Sequence, residues 1–183
     1  MKKCMSITKR PQRVVLLGAT GQLGADLARA CSLASHDWHV SALGPGDVDV
    51  REHEAVRATL QGLEPTLIIN ATAYNRVDDA ERDAGTAFAI NTVAVHNLAR
   101  VSRELGAKLV HVSTDFVYGG DASRTTPYRE SDPPAPQSVY AASKLAGEHV
   151  IRAVSPRYLI VRTSGLYGGG RDNRGDMSSN FVL

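Results

Sequence analysis

Short apolar runs alternate with amphipathic stretches along most of this chain. Val14–Leu17 is a continuous apolar run, the pattern of a strand buried on both faces. Gln22–Leu33 then reads as a helix, Trp38–Leu43 as a second strand and Glu52–Leu63 as a second helix. Leu67–Asn70 gives a third strand, and Asp78–Leu105 a long helical region interrupted near Gly85. Lys108–Ser113 is a fourth strand, Val139–Val154 a helix rich in good helix formers, and Tyr158–Val161 a fifth strand. Strands that alternate with helices imply crossovers and a mostly parallel sheet. Right-handed crossovers then put helices on both faces, so the expected fold is α/β and doubly wound. There is no internal repeat, and the proline-rich Thr125–Gln137 reads as a loop rather than a linker. Residues 1–12 carry no periodic pattern and are expected to form a flexible leader, with 13–183 as one domain.

Composition narrows the classes. A chain of 183 residues suits one compact domain, and 43% hydrophobic with 22% charged residues is ordinary for a globular protein. A net charge of +2 gives no reason to expect nucleic acid or an acidic membrane surface as partner. No apolar run approaches the roughly 20 residues that span a bilayer. Lys2, Lys3, Lys9 and Arg10 are not followed by an apolar segment, which argues against a secretory signal. Cys4 and Cys31 make no disulfide framework, so a cytoplasmic setting is expected. Self-association into a homo-oligomer is left open.

The chemistry concentrates at two places. The first strand runs into Gly18-Ala-Thr-Gly21-Gln-Leu-Gly24, a glycine turn between a strand and a helix. Gly18 would allow the tight turn, Gly21 would admit a pyrophosphate to the backbone, and Gly24 would let the helix pack closely. The helix N-terminus adds free N–H groups and a positive dipole end. The second strand ends in Gly44-Pro45-Gly46, with neither the acidic residue that favours NAD nor the arginine that suits NADP. Asp47 and Asp49 follow, and could either reach an adenosine or cap the next helix. The second place is Tyr140-Ala-Ala-Ser-Lys144. Residues four apart share a helix face, and an ammonium beside a phenol favours the phenolate, lowering its pKa from about 10. Tyr140 is then a candidate proton donor or acceptor. His111 alternates with apolar neighbours and reads as a satisfied core histidine.

Five motifs in order carry a resemblance: Gly18–Gly24, Asn70-Ala-Thr-Ala-Tyr74, Ser113-Thr-Asp-Phe-Val-Tyr118, Tyr140-x-x-x-Lys-Leu-Ala-Gly-Glu148 and Val161-Arg-Thr-Ser-Gly-Leu-Tyr167. Together they resemble the extended short-chain dehydrogenase/reductases, and within them the dTDP-4-dehydrorhamnose reductases. Pro127–Pro136 resembles that subgroup too. The resemblance implies an NAD(P)-binding, Rossmann-like domain of an oxidoreductase that reduces the 4-keto group of a dTDP-sugar with NADP or NAD as cofactor, a step of dTDP-rhamnose biosynthesis. It implies Tyr140 as the acid at C4, Lys144 holding the nicotinamide ribose, and Thr114 and Asp115 contacting substrate. Gly18, Gly21, Gln22, Leu23 and Gly24 would line the pyrophosphate, Asp49 and Val50 the adenine, and Ala71, Thr72, Ala73 and Tyr74 the rest of the cofactor. No metal is implied. Thr114 at a strand end could instead be an ordinary capping hydroxyl, and Asp115 could equally serve a loop turn.

Departures from the pattern matter. Gly165 stands where many reductases of the group carry tryptophan. The relatives continue well past the position where this chain stops at Leu183, and Gly168–Asn180 is unusually polar, so a member lacking the C-terminal substrate domain is expected. Thr114-Asp115-Phe116 differs from the Thr-Asp-Glu of related dehydratases, and Phe116 cannot move a proton, which favours reduction over dehydration. A nucleotide-sugar epimerase remains an alternative, as does a non-catalytic dinucleotide-binding subunit resembling the methionine adenosyltransferase beta subunit.

Overall fold

Five strands form one parallel sheet in the order β2-β1-β3-β4-β5. They are β1 (Gln12–Leu17), β2 (Trp38–Leu43), β3 (Leu67–Asn70), β4 (Lys108–Thr114) and β5 (Tyr158–Thr163). The computed structural model describes residues 11–34 and 37–166. Most of the expected leader, Tyr167 and the polar stretch Gly168–Asn180 therefore lie outside the described residues. The helices are α1 (Gln22–Ala34), α2 (His53–Leu63), α3 (Val77–Ala80), α4 (Ala84–Phe88), α5 (Ala94–Glu104) and α6 (Val139–Val154). No described helix is long and apolar enough to cross a membrane.

The chain goes from β1 to its neighbour on one side, then returns past β1 to build the rest of the sheet. Right-handed crossovers therefore set α1 on one face and α2, α5 and α6 on the other. The contacts agree: α1 packs on β1 and β2, α2 packs on α5, and α5 packs on α6. The main core lies under α2, α5 and α6. It joins Val15, Leu17 and Ile68 of the sheet to Val56, Leu60, Val95, Leu98 and Ile151 of the helices. The fold is α/β, a doubly wound parallel sheet of Rossmann-like form.

Element ends moved in the direction that pairing demands. Gln12 and Arg13 already pair with Trp38 and His39, so β1 begins before its apolar residues do. Arg162 and Thr163 extend β5 by pairing with Ser113 and Thr114. Strands end where ladder bonds end, and polar side chains tolerate that at a sheet's rim. The long helical stretch breaks at Glu81–Asp83, where the Asp83 side chain accepts a bond from the Thr86 N–H at 3.1 Å and starts α4. A π-helical turn, Ala89–Val93, then joins α4 to α5. It brings the Asn91 carbonyl against Gly147 of α6 so closely that no Cβ fits there. Gly147→Ala should therefore force the two helices apart and lower stability by about 1–3 kcal/mol, read as a fall in the urea midpoint at unchanged m-value.

Candidate active site

The strand order reverses at β1, so the connections leaving the carboxyl ends of β1 and β3 run to opposite faces of the sheet, and α/β sheets bind ligands at such a point. A cavity of about 520 Å³ opens there. Its walls include Gly18, Gly21, Asp49, Val50, Ala71, Thr72, Ala73 and Tyr74 from the expected cofactor set, with Gly44, Arg51, Thr86 and Ile90 besides. Gly18 turns the chain at φ +84°, and a side chain on it would stand 2.9 Å from the Ala71 carbonyl and Thr72 nitrogen. Only glycine serves at that point. Gly24 is as constrained, since a Cβ there would collide with the backbone of Gly18 and Ala19. Gly24 thus lets α1 pack closely on the glycine turn itself, alongside its packing on β1 and β2. Gly21 is different: a Cβ would meet only the Gly18 carbonyl oxygen, at 3.5 Å. Nothing in the chain requires a glycine at that exposed position, although it borders the cavity. Gln22, Leu23 and Gly24 form the first turn of α1, whose N–H groups have no carbonyl partner within the helix. No acidic side chain occupies that turn.

The two aspartates after β2 are both committed locally. Asp47 accepts from the Gly44 N–H at 2.8 Å. Asp49 accepts from the Arg51 N–H at 2.9 Å and pairs with the Arg51 guanidinium. Those bonds hold the Asp49 carboxyl below the usual range. Neither caps α2, which begins after Glu52 without a side-chain cap.

Tyr140, Thr114 and Asp115 meet at the same carboxyl edge of the sheet, beside β4. Ser138 caps α6 by accepting from the Ala141 N–H at 3.1 Å, which sets Tyr140 in the first turn. Burial raises the Tyr140 phenol above its ordinary value, the neighbouring Thr114 hydroxyl pulls it back, and the Asp115 charge raises it again. The expectation of a phenol lowered by Lys144 does not describe this arrangement. Lys144 is almost fully buried, and its ammonium nitrogen donates to the Val112 carbonyl at 2.7 Å, with His111 Nε2 at 3.4 Å. Burial lowers its pKa to about 8, against the pull of Glu148. The lysine nitrogen bonds to β4, and the groups that shift the Tyr140 phenol are its burial, Thr114 and Asp115. Thr114 does act as a cap, accepting from the Phe116 N–H at 3.1 Å at the start of a 3-10 turn, Asp115–Val117. Phe116 meets Tyr140 edge to face, centroids 6.1 Å apart.

Asp115 also lines a second cavity, of about 770 Å³, together with Tyr118, Tyr128, Gln137, Ser138 and Arg162. Sequence reasoning missed what holds this wall. Arg162 stacks on Tyr118, Tyr118 on Tyr128 with centroids 4.6 Å apart, and Arg124 on Tyr128. This column ties the loop before α6 to the sheet. Its anchor is Glu148, fully buried, which accepts from Arg162 at 2.6 and 2.8 Å, Arg152 at 2.9 Å and Ser113 at 2.7 Å. Asn91, also fully buried, is a second missed residue. It exchanges bonds with both backbone groups of Tyr74 at 2.9 and 3.1 Å and donates to Ser143 at 2.9 Å. It thereby fastens the cavity wall to α6. The available signal was a lone amide inside an apolar helical run.

Comparison with known proteins adds a family. The model described as "RmlD substrate binding domain" matches residues 12–181. The chain belongs to that family. It is 39% identical to the dTDP-4-dehydrorhamnose reductase of Mycobacterium tuberculosis, over 88% of this chain and 52% of that protein. It is 42% identical to a probable dTDP-4,6-dihydroxy-2-methyloxan-3-one 4-ketoreductase of Streptomyces antibioticus, over 85% of this chain and 52% of that protein. The crystal structure of dTDP-4-dehydrorhamnose reductase from Bacillus anthracis in complex with NADP superposes with a TM-score of 0.82. It is 38% identical and matches 87% of this chain and 55% of its own. The chain thus spans about half the length of the curated relatives it matches.

Glu148 sets a measurable pH dependence. Burial pushes its carboxyl up, but the bonds from Arg162 and Ser113 and the charges of Arg162 and Arg152 outweigh that and hold it below its ordinary 4.5. A carboxyl depressed in the folded state stabilises above its unfolded pKa, and loses that contribution as pH falls through the folded value. Glu148→Gln should cost about 3–5 kcal/mol at pH 7, because the arginines keep their charge without its partner. The penalty should shrink below pH 4.5, as followed by urea unfolding across the acid range.

Proposed function

We propose that this chain is the dinucleotide-binding part of an NAD(P)H-dependent reductase that acts on the 4-keto group of a dTDP-sugar. The observation that carries the reading is the cavity at the sheet's reversal point, walled by a glycine turn whose middle member, Gly21, is open toward it. Family membership and the named activities of the relatives support the substrate class. The first turn of α1 at Gln22 and Leu23 would hold the pyrophosphate through backbone N–H groups and the helix dipole, and Gly18 and Gly21, whose own N–H groups donate to Leu43 and Gly18 carbonyls, would leave it room to approach. Ala71–Tyr74 would form the wall along the cofactor, and Asp49 and Val50 the adenosine end. Asp49 and Arg51 stand side by side there: a carboxylate suits a ribose hydroxyl and an arginine suits a 2′-phosphate. The residues therefore fit either dinucleotide, and the NADP bound to the Bacillus anthracis relative supports NADP.

Bound there, the dinucleotide supplies the hydride. Tyr140 delivers the proton to the alkoxide that develops at C4. Its raised pKa keeps the phenol protonated at neutral pH, the form a reductase acid requires. Thr114 orients the substrate oxygen and Asp115 contacts the sugar nucleotide from the second cavity. A cytoplasmic setting belongs to the same proposal.

Gly21→Val tests the cavity directly. The exposed position has room for a Cβ, so the thermal midpoint should stay close to native while NADPH and NADH affinity falls at least about tenfold, or 1.4 kcal/mol. Unchanged affinity in a fluorescence titration would refute dinucleotide binding at this turn. Tyr140→Phe tests the chemistry. In a preparation that reduces a dTDP-4-keto sugar, it should lower kcat by roughly 10² or more and leave dinucleotide affinity intact. Near-native turnover would remove Tyr140 from the role.

A further inference from the structure

The break in the long helical stretch at Glu81–Asp83 leaves two carboxylates to serve different helices. Asp83 starts α4. Glu81, just past α3, instead accepts from the Val139 N–H at 2.8 Å, from a residue 58 positions later in the chain. Val139 is the first residue of α6. The first N–H groups of a helix have no carbonyl partner within it. In α6, Ser138 answers two of them: its hydroxyl accepts from the Ala141 N–H at 3.1 Å and its carbonyl from the Ala142 N–H at 2.9 Å. The Val139 N–H is left to Glu81, and a carboxylate there also complements the positive end of the helix.

The place of this bond gives it its interest. Tyr140 is the next residue of α6. On the other side, the chain runs from the cofactor-cavity wall, Ala71–Tyr74, through α3 to Glu81. Asn91 ties Tyr74 of that segment to Ser143, one turn into α6. Glu81 ties the same segment to the very start of the helix. Val77 of α3 and Ser138 line the second cavity together, so the bond closes the seam between them. Ala80 is fully buried and seats α3. The body of α6 is held by other bonds, Lys144 to Val112 and Glu148 to Ser113 and Arg162, and all of these lie beyond the first turn.

We propose that Glu81 is a positioning residue for reduction: by holding the Val139 N–H it fixes the first turn of α6 against the cofactor wall, and so sets where Tyr140 stands relative to the dinucleotide. The inference rests on the proposed role of Tyr140 as the acid. Glu81 lines neither cavity and acts only through the helix. Its bond lies at the surface, so losing it should leave the fold intact. Rate is far more sensitive, because a displacement of about 1 Å can cost roughly 10²-fold.

Glu81→Ala removes the acceptor, and Glu81→Gln keeps an acceptor oxygen while removing the charge. Proton NMR of the chain alone reads the Val139 amide exchange rate and the contact between the Phe116 and Tyr140 rings, whose centroids lie 6.1 Å apart. In Glu81→Ala the amide should exchange at least about tenfold faster and the ring contact should weaken, with the thermal midpoint close to native. Glu81→Gln should resemble the native protein in both. In the preparation used for Tyr140→Phe, Glu81→Ala should lower kcat roughly tenfold or more with KM and NADPH affinity nearly unchanged, and Glu81→Gln should restore it. An unaltered Val139 amide or ring contact in Glu81→Ala would overturn the proposal. So would native kcat in Glu81→Ala where Tyr140→Phe has lost turnover, a Glu81→Gln variant that behaves like Glu81→Ala, or a large fall in thermal midpoint, which would make Glu81 a residue of stability alone. Full turnover in Tyr140→Phe would strike the proposed acid instead, and the NMR comparison would still decide whether Glu81 places that side chain.

Discussion

Backbone meets backbone at Gly18, and the site is built around that contact. At Gly18 the chain leaves β1 in a conformation that L side chains avoid, lying 2.9 Å, measured from where a Cβ would be, from the loop after β3. The same residue is pressed from the other side by Gly24 at the start of α1. Three segments therefore converge with no side chain between them. The convergence aims the first turn of α1, with its unpaired N–H groups, into the gap that opens where the strand order reverses. A parallel sheet needs long crossovers to exist at all, and those crossovers cover the faces. The carboxyl edge is where binding groups remain accessible.

A second constraint works beside β4 and β5, near the same carboxyl edge of the sheet. Glu148 is buried on α6 and binds two arginines and a serine, a costly arrangement unless every lone pair has a partner. Here each does, and Arg162 carries the order outward through two stacked tyrosines to the loop that walls the second cavity. The charge cluster and the glycine turn thus define the two compartments that a hydride donor and a keto-sugar would need. Tyr140 stands with Thr114 and Asp115, and Asp115 lines the second compartment.

Much of this was legible in the chain. The bounds of β2, β3 and α6 follow from apolar runs and breakers alone, since Trp38–Leu43, Leu67–Asn70 and Val139–Val154 all sit between clear punctuation. The α/β alternation was equally plain. What escaped was set by partners distant in sequence. The π-helical turn at Ala89–Val93 inserts one residue's worth of backbone into an apolar stretch without disturbing its composition. The direction of the Lys144 ammonium depends on Val112 and His111, more than thirty positions away, and spacing within one helix cannot report that. The Asp49–Arg51 pair is local, and it leaves the cofactor undecided because its two members suit different dinucleotides.

The central claim is that the gap between β1 and β3 is a dinucleotide site. Backbone NMR of the native chain titrated with NADPH tests it most directly. The account predicts saturable shifts at Gly18–Leu23 and Ala71–Tyr74, with smaller ones at Val50 and Arg51. Absence of any saturable change, or shifts confined to the opposite rim near Gly106 and Arg157, would contradict it.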